Sequence, residues 1–159
     1  MVNSATGGGI SLSNLGGSIT VGGGSTGGPG ALIIANGGVV NSTTSTIIGD
    51  ASDGSSKVIV TGAGSVLNAF NSLAIGASSC CCNPVGTLTV ADGGVVNSPG
   101  ATSIGAGSTL NLGVGGLAGA IVTPVIANAG QIIANFTDTL TLAAAISGAG
   151  TLSKAGRER

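Results

Sequence analysis

Cys80-Cys81-Cys82 concentrates every thiol of this chain in three consecutive positions. Zinc needs ligands spread along the chain, in spacings such as C-x2-C with further Cys or His elsewhere. The chain has no other Cys and no His. Adjacent cysteines make strained disulfides, and three cannot all pair with one another. The triplet therefore reads as an exposed loop with thiols that react or pair between molecules. Asp50-Ala51-Ser52-Asp53-Gly54 could set oxygens around Ca2+. An EF-hand loop would need a Glu at its twelfth position, where Thr61 stands, so the stretch reads as a polar turn.

The glycine motifs fail for want of partners. Gly22-x-Gly24-x-x-Gly27 matches a dinucleotide fingerprint, but the motif needs a helix next to aim backbone N–H groups at a pyrophosphate. Gly28-Pro29-Gly30 and a strand-like run follow instead. Gly23-Gly24-Ser25-Thr26-Gly27 fits G-x-S-x-G, yet a Ser nucleophile needs a His base. Gly49 and Gly54 have P-loop spacing, but two serines separate the second Gly from Lys57. The acids are Asp50, Asp53, Asp92, Asp138 and Glu158. A carbohydrate-cleaving site gathers carboxylates; here Asp92 falls in a turn and Asp138 is remote in sequence. The expectation is a non-enzyme with no catalytic, cofactor-binding or metal-ligating residue. Asn41-Ser42-Thr43 and Asn135-Phe136-Thr137 match the glycosylation sequon and read as turn chemistry.

The elements that carry these residues follow from composition and repetition. Of 159 residues, 32 are Gly, and the only aromatics are Phe70 and Phe136. The apolar payload is Val, Ile, Leu and Ala with much Ser and Thr, which favours strands over helices. Mean hydropathy is +0.62 and net charge −1, which argues against disorder as the main state. Three of the four cations, Lys154, Arg157 and Arg159, crowd the C-terminus, so no basic face is available to nucleic acid. The Met-Val-Asn-Ser start shows no signal peptide. No run of about twenty apolar residues suggests a transmembrane helix.

Residues 30–42, GALIIANGGVVNS, and 86–98, GTLTVADGGVVNS, agree at nine of thirteen positions. Counting eight forward from Asn14, Asn41, Asn68 and Asn97 reaches Gly22, Gly49, Gly76 and Gly105 each time. Val21, Ile48, Ile75 and Ile104 precede those glycines. The unit is about 27 residues, and such a period marks a solenoid. Each unit parses into a strand (32–34, 58–60, 88–90), a Gly turn (36–38, 62–64, 92–94), a short strand into the Asn, and a third strand ending at the Gly. In stacked coils, equivalent residues lie about 4.8 Å apart. Deleting one residue between Asn and Gly would turn a strand inside out. Loops 22–29, 49–56 and 76–85 are free to vary outside the stack. Asn14, Asn41, Asn68 and Asn97 are expected to form an amide ladder at one corner. After Gly105, strands are expected at 109–112, 131–133 and 139–142, with 113–130 a coil carrying an irregular loop around Pro124.

VTGAGSVLNAFNSLAIG (60–76) and GTLTVADGGVVNSPGATSIGAGSTLNLG (86–113) resemble the passenger domains of bacterial autotransporters, the pertactin-like type. TLTLAAAISGAGTLSKAG (139–156) is similar to their passenger-associated repeat. The resemblance implies an all-β, right-handed single-stranded parallel β-helix; a frayed 1–9, a repeat domain over 10–154 and a disordered tail at 155–159 are expected. It further implies a surface-displayed or secreted adhesin or stalk, outside the outer membrane and tied to virulence, with a host or cell-surface receptor or glycan as partner. Neither export signal nor translocator barrel is in the sequence, and Arg157-Glu158-Arg159 stands where the repeat would run on, so the expectation is a fragment. The runner-up functions are a carbohydrate-binding or polysaccharide-processing β-helix and a non-functional truncated remnant. Uncapped solenoid ends are expected to self-associate.

Overall fold

The protein is described by a computed structural model over residues 11–14, 17–22, 28–50, 55–76 and 84–155. No helix occurs among them. The chain winds through β1 (Ser11–Asn14), β2 (Ile19–Val21) and β3 (Ala31–Ile34), then β4 (Val39–Ser42), β5 (Ser45–Ile48) and β6 (Ser55–Thr61). It continues through β7 (Val66–Ala69), β8 (Ser72–Ile75), β9 (Val85–Ala91), β10 (Val95–Asn97), β11 (Thr102–Ile104) and β12 (Thr109–Leu112). The last windings hold β13 (Ala120–Val122), β14 (Val125–Asn128), β15 (Gln131–Ala134), β16 (Ala145–Ser147) and β17 (Thr151–Lys154). Every third strand pairs in parallel as far as β15, then β14 pairs with β16 and β15 with β17, building one sheet of five strands and two of six along the solenoid axis. The parallel β-solenoid read from the repeat is the observed fold.

The reason lies in period-two alternation within each short strand. In β4, β5, β7 and β8 every second residue is buried. Register stacks the inward residues into columns. Leu32, Val58, Leu88, Leu110 and Ile132 form one, and Val21, Ile48, Ile75 and Ile104 another. Val40, Leu67, Val96 and Ile121 form a third. All are buried, and the core is a tube of aliphatic side chains. Small branched residues suit it, because like side chains stack directly when the rise between coils is the strand spacing.

Turns at the first corner show why Asn-Gly and Asp-Gly recur. Asn36 (φ 55°) and Gly37 (φ 78°) are both left-handed, as are Asp92 (φ 52°) and Gly93 (φ 79°). Gly38 N–H donates to the Ala35 carbonyl at 3.0 Å and Gly94 N–H to Ala91 at 2.9 Å, completing type I′ turns.

Several expectations are corrected. Among the described side chains the amide ladder joins three members. Asn68 Nδ2 donates to Asn41 Oδ1 at 2.7 Å, and Asn97 Nδ2 to Asn68 Oδ1 at 2.8 Å. Asn14 is level with Ser42 instead of Asn41, because 28 residues, not 27, separate register partners there. The ladder also runs along the outer face of a sheet, inside strands, and not at a corner. Within 113–130 the register is kept after all. Residues 120–122 and 125–128 are β13 and β14, Pro124 sits at a tight corner between them, and the irregular part is 113–119. Residues 139–142 are not a strand, although Leu140 and Leu142 pack against the core. Windings shorten along the chain, from 29 residues at Asn68–Asn97 to 22 at Thr89–Asn111 and 20 at Ala118–Asp138.

Candidate functional site: the loop-bearing corner

The three long loops read from the sequence leave the solenoid at the ends of β2, β5 and β8 and return at the starts of β3, β6 and β9. Register therefore places their bases in a row at one corner. Gly49 N–H donates to the Val21 carbonyl (2.9 Å), Gly76 to Ile48 (2.7 Å) and Gly105 to Ile75 (2.8 Å). Backbone continuity from coil to coil thus passes through the glycines that end each third strand. On the return side, Gly30 N–H donates to Ser56 Oγ at 3.0 Å and Gly86 N–H to Ser108 Oγ at 3.1 Å. Ser56 and Ser108 are buried, and each ties a loop's return to the next coil.

Two of the three loop mouths, those of 22–29 and 76–85, are closed. Gly22 (φ 72°) and Gly76 (φ 70°) take left-handed backbone angles. A Cβ at Gly22 would stand 2.8 Å from Gly30 N, and one at Gly76 2.8 Å from Pro84 O. Loop entry and exit touch, which is the geometry of an excursion whose ends meet while the coil beneath stays intact. In the next winding the excursion disappears. Gly105 to Ser108 forms a tight turn, with Ser108 N–H on the Gly105 carbonyl at 3.0 Å. Cys80, Cys81, Cys82, Ser52 and Asp53 lie outside the described residues, as do Gly23–Gly27. The Gly22 motif leads into strand β3 and not into a helix, so its phosphate-binding reading is excluded.

Asp92 and Asp138, remote in sequence, hold adjacent residues of one segment. Asp92 N–H donates to the Leu117 carbonyl at 3.0 Å, and its Oδ2 accepts from Thr61 Oγ1 at 3.1 Å. Asp138 Oδ1 accepts from Ala118 N–H at 2.8 Å. Asp92 and Asp138 thus hold the same irregular segment from the windings on either side. This arrangement anchors backbone and was not legible in the sequence, since only the 20-residue winding brings Asp138 under Ala118. Among the described residues no group of three His, Cys, Asp or Glu side chains is placed to hold a metal ion. Neither sequon sits in a simple turn: Asn41 is a ladder member inside β4, and Thr137 Oγ1 donates to the Gly116 carbonyl at 3.2 Å.

Two further features have no counterpart in the repeat pattern. Asn128 occupies the column of Val21, Ile48, Ile75 and Ile104. It is buried, and its amide donates to the Thr151 carbonyl (3.0 Å) and accepts from Gly130 N–H (3.0 Å). Lys154 stands in the inward column of Val60, Val90 and Leu112. Its Nζ donates to the Phe136 carbonyl at 2.9 Å and lies 4.0 Å from that ring's centre. An open groove of about 460 Å3 crosses the outer face of the β8–β11–β14–β16 sheet over Ala74, Ser103, Ala127 and Ser147. No charged side chain lines it. Among known protein families, curated proteins and solved structures, none matches the chain.

Proposed function

We propose that the chain is a non-catalytic presenting rod, a segment of a surface-displayed or secreted bacterial protein of the autotransporter-passenger kind. The observation that carries the proposal is the row of loop bases at one corner, two of them pinched. The solenoid holds three variable loops in line while its backbone ladder runs on underneath. A scaffold that separates loop sequence from coil stability suits recognition, because binding residues concentrate on loops held by a rigid frame. The outward Ser, Thr and Asn columns, with Asn41, Asn68 and Asn97 joined by hydrogen bonds, give the rod a polar face suited to display in water. The resemblance of 60–76, 86–113 and 139–156 to passenger repeats supplies the bacterial surface setting.

The test is binding with and without loops. Beads carrying the chain are offered to cultured epithelial cells and to a glycan array, beside a variant whose residues 77–83 are replaced by the Ala-Gly turn of 106–107. Binding that falls while the circular dichroism spectrum is kept supports presentation. Turnover of a polysaccharide that is lost in Asp92→Asn or Asp138→Asn would instead establish a processing β-helix.

A further inference from the structure

Asn36-Gly37 is the single Asn-Gly pair in the sequence. Such a pair forms a cyclic imide readily, because glycine puts no side chain in the way of its own backbone nitrogen. Asn36 is exposed, at the corner between β3 and β4. Nothing lies within 4 Å of a Cβ placed on Gly37, so the corner has room for the ring. Two hydrogen bonds hold the pair in its left-handed shape. Gly38 N–H closes the turn on the Ala35 carbonyl at 3.0 Å, and Gly37 N–H donates to Ser65 Oγ at 3.1 Å. Ser65 is fully buried, one winding on. The Gly37 nitrogen is the atom that must attack the Asn36 side chain, and Ser65 holds it in place. Gly93 is held likewise, its N–H on the Ala118 carbonyl at 2.9 Å.

We propose that Asn36 is a deamidation site of the folded protein, restrained by Ser65. To reach Asn36 Cγ, the Gly37 peptide must swing away from Ser65, which is a local opening of the corner and not of the molecule. Hydroxide then takes the Gly37 N–H proton and the nitrogen attacks Cγ. The N–Cγ bond forms, the Cγ–Nδ2 bond breaks, and ammonia leaves with a proton from water. Water opens the resulting imide: attack at Cγ gives aspartate, and attack at the Asn36 backbone carbonyl gives isoaspartate. No oxidant or reductant takes part. The aspartyl product suits the turn, since Asp92 holds φ 52° in the corresponding Asp-Gly corner. It adds a negative charge to the corner that already carries Asp92. Isoaspartate inserts a methylene into the backbone between Ala35 and Gly38, which a turn closed by their hydrogen bond does not absorb.

The experiment incubates the full chain in mildly alkaline buffer, folded and in urea. Mass spectrometry that separates asparagine, aspartate and isoaspartate follows the peptide holding Asn36. In the folded chain Asn36 should convert first among the described asparagines, ahead of Asn41, Asn71 and Asn97, each of which precedes Ser. Urea should speed the conversion, a comparison that needs no substitution. Ser65→Ala should speed it in the folded chain about two- to tenfold, the factor that one net hydrogen bond contributes. Asn68→Ala, which weakens the solenoid away from this turn, should leave the folded rate unchanged and so separates local opening from global unfolding. A folded rate equal to that in urea, earlier conversion at another described asparagine, indifference to Ser65→Ala, or equal acceleration by Ser65→Ala and Asn68→Ala would each overturn the proposal.

Discussion

Asn68 works in two directions at once, donating to Asn41 and accepting from Asn97. A side-chain hydrogen bond contributes about 0.5–1.5 kcal/mol net. Asn68→Ala should therefore cost about 1–2 kcal/mol in urea denaturation, and Asn41→Ala, which loses one bond, roughly half of that. Equal losses for the two would mean that the column does not act as a ladder. Glycine separates backbone strain from contact in the same way. Gly37 (φ 78°) has open space where a Cβ would go, whereas a Cβ at Gly76 (φ 70°) would run into Ser108 Oγ and Pro84 O. Gly37→Ala should cost about 1 kcal/mol from its left-handed angle alone. Gly76→Ala should cost well over 2 kcal/mol, since buried overpacking adds to the strain. Thr46 is a third case: its Oγ1 is buried without a hydrogen-bond partner. Burying an unpaired hydroxyl is unfavourable, so the isosteric Thr46→Val should be neutral or stabilising by about 1 kcal/mol, read as a rise in the urea midpoint.

An element here is a strand of three to seven residues that is stable only between neighbours. Alone, such a strand pairs with nothing nearby in sequence; β6 finds its partners one winding back in β3 and one winding on in β9. The energetic weight of a residue thus depends on whether both neighbours are present. Leu88 in β9 is fully buried between Val58 and Leu110, while Leu152 in β17 has one neighbour and is 61% exposed. Leu88→Ala should cost about 2–5 kcal/mol, and Leu152→Ala under about 0.5 kcal/mol. Chemical denaturation of the two variants side by side checks the contrast. Similar losses would show that the last winding is packed as tightly as the middle.

Across the whole molecule, stability is a sum over adjacent windings, as in other solenoids. The winding that carries Cys80–Cys82 takes 29 residues between Asn68 and Asn97, yet the next manages with 22 between Thr89 and Asn111. The additional length is not needed for coil continuity, because Gly76 and Pro84 already meet at the loop base. Replacing residues 77–83 with an Ala-Gly turn should leave the circular dichroism spectrum unchanged and the melting temperature within a few degrees, since loop length enters stability only logarithmically. A collapse of the melting transition would show that the loop holds the coil together. The separation of loop from coil is also what the presenting-rod proposal requires.

The sequence by itself determined the columns. A residue that must stack on its equivalent one winding away leaves a periodic trace, so Val21, Ile48, Ile75 and Ile104, the Asn41–Asn68–Asn97 ladder and the row of loops could all be read by counting. The Asn36-Gly37 and Asp92-Gly93 corners were legible because those residue pairs tolerate left-handed backbone. Tertiary structure alone decided whatever depends on a winding of changed length. Asn14 slips to Ser42, residues 120–122 and 125–128 rejoin the stack, 139–142 remain irregular, and Asp92 and Asp138 converge on Leu117 and Ala118. Parallel pairing is made with chain some 20 to 29 residues away. Local sequence can state a preference for strand, but inter-winding hydrogen bonds settle which residues become level.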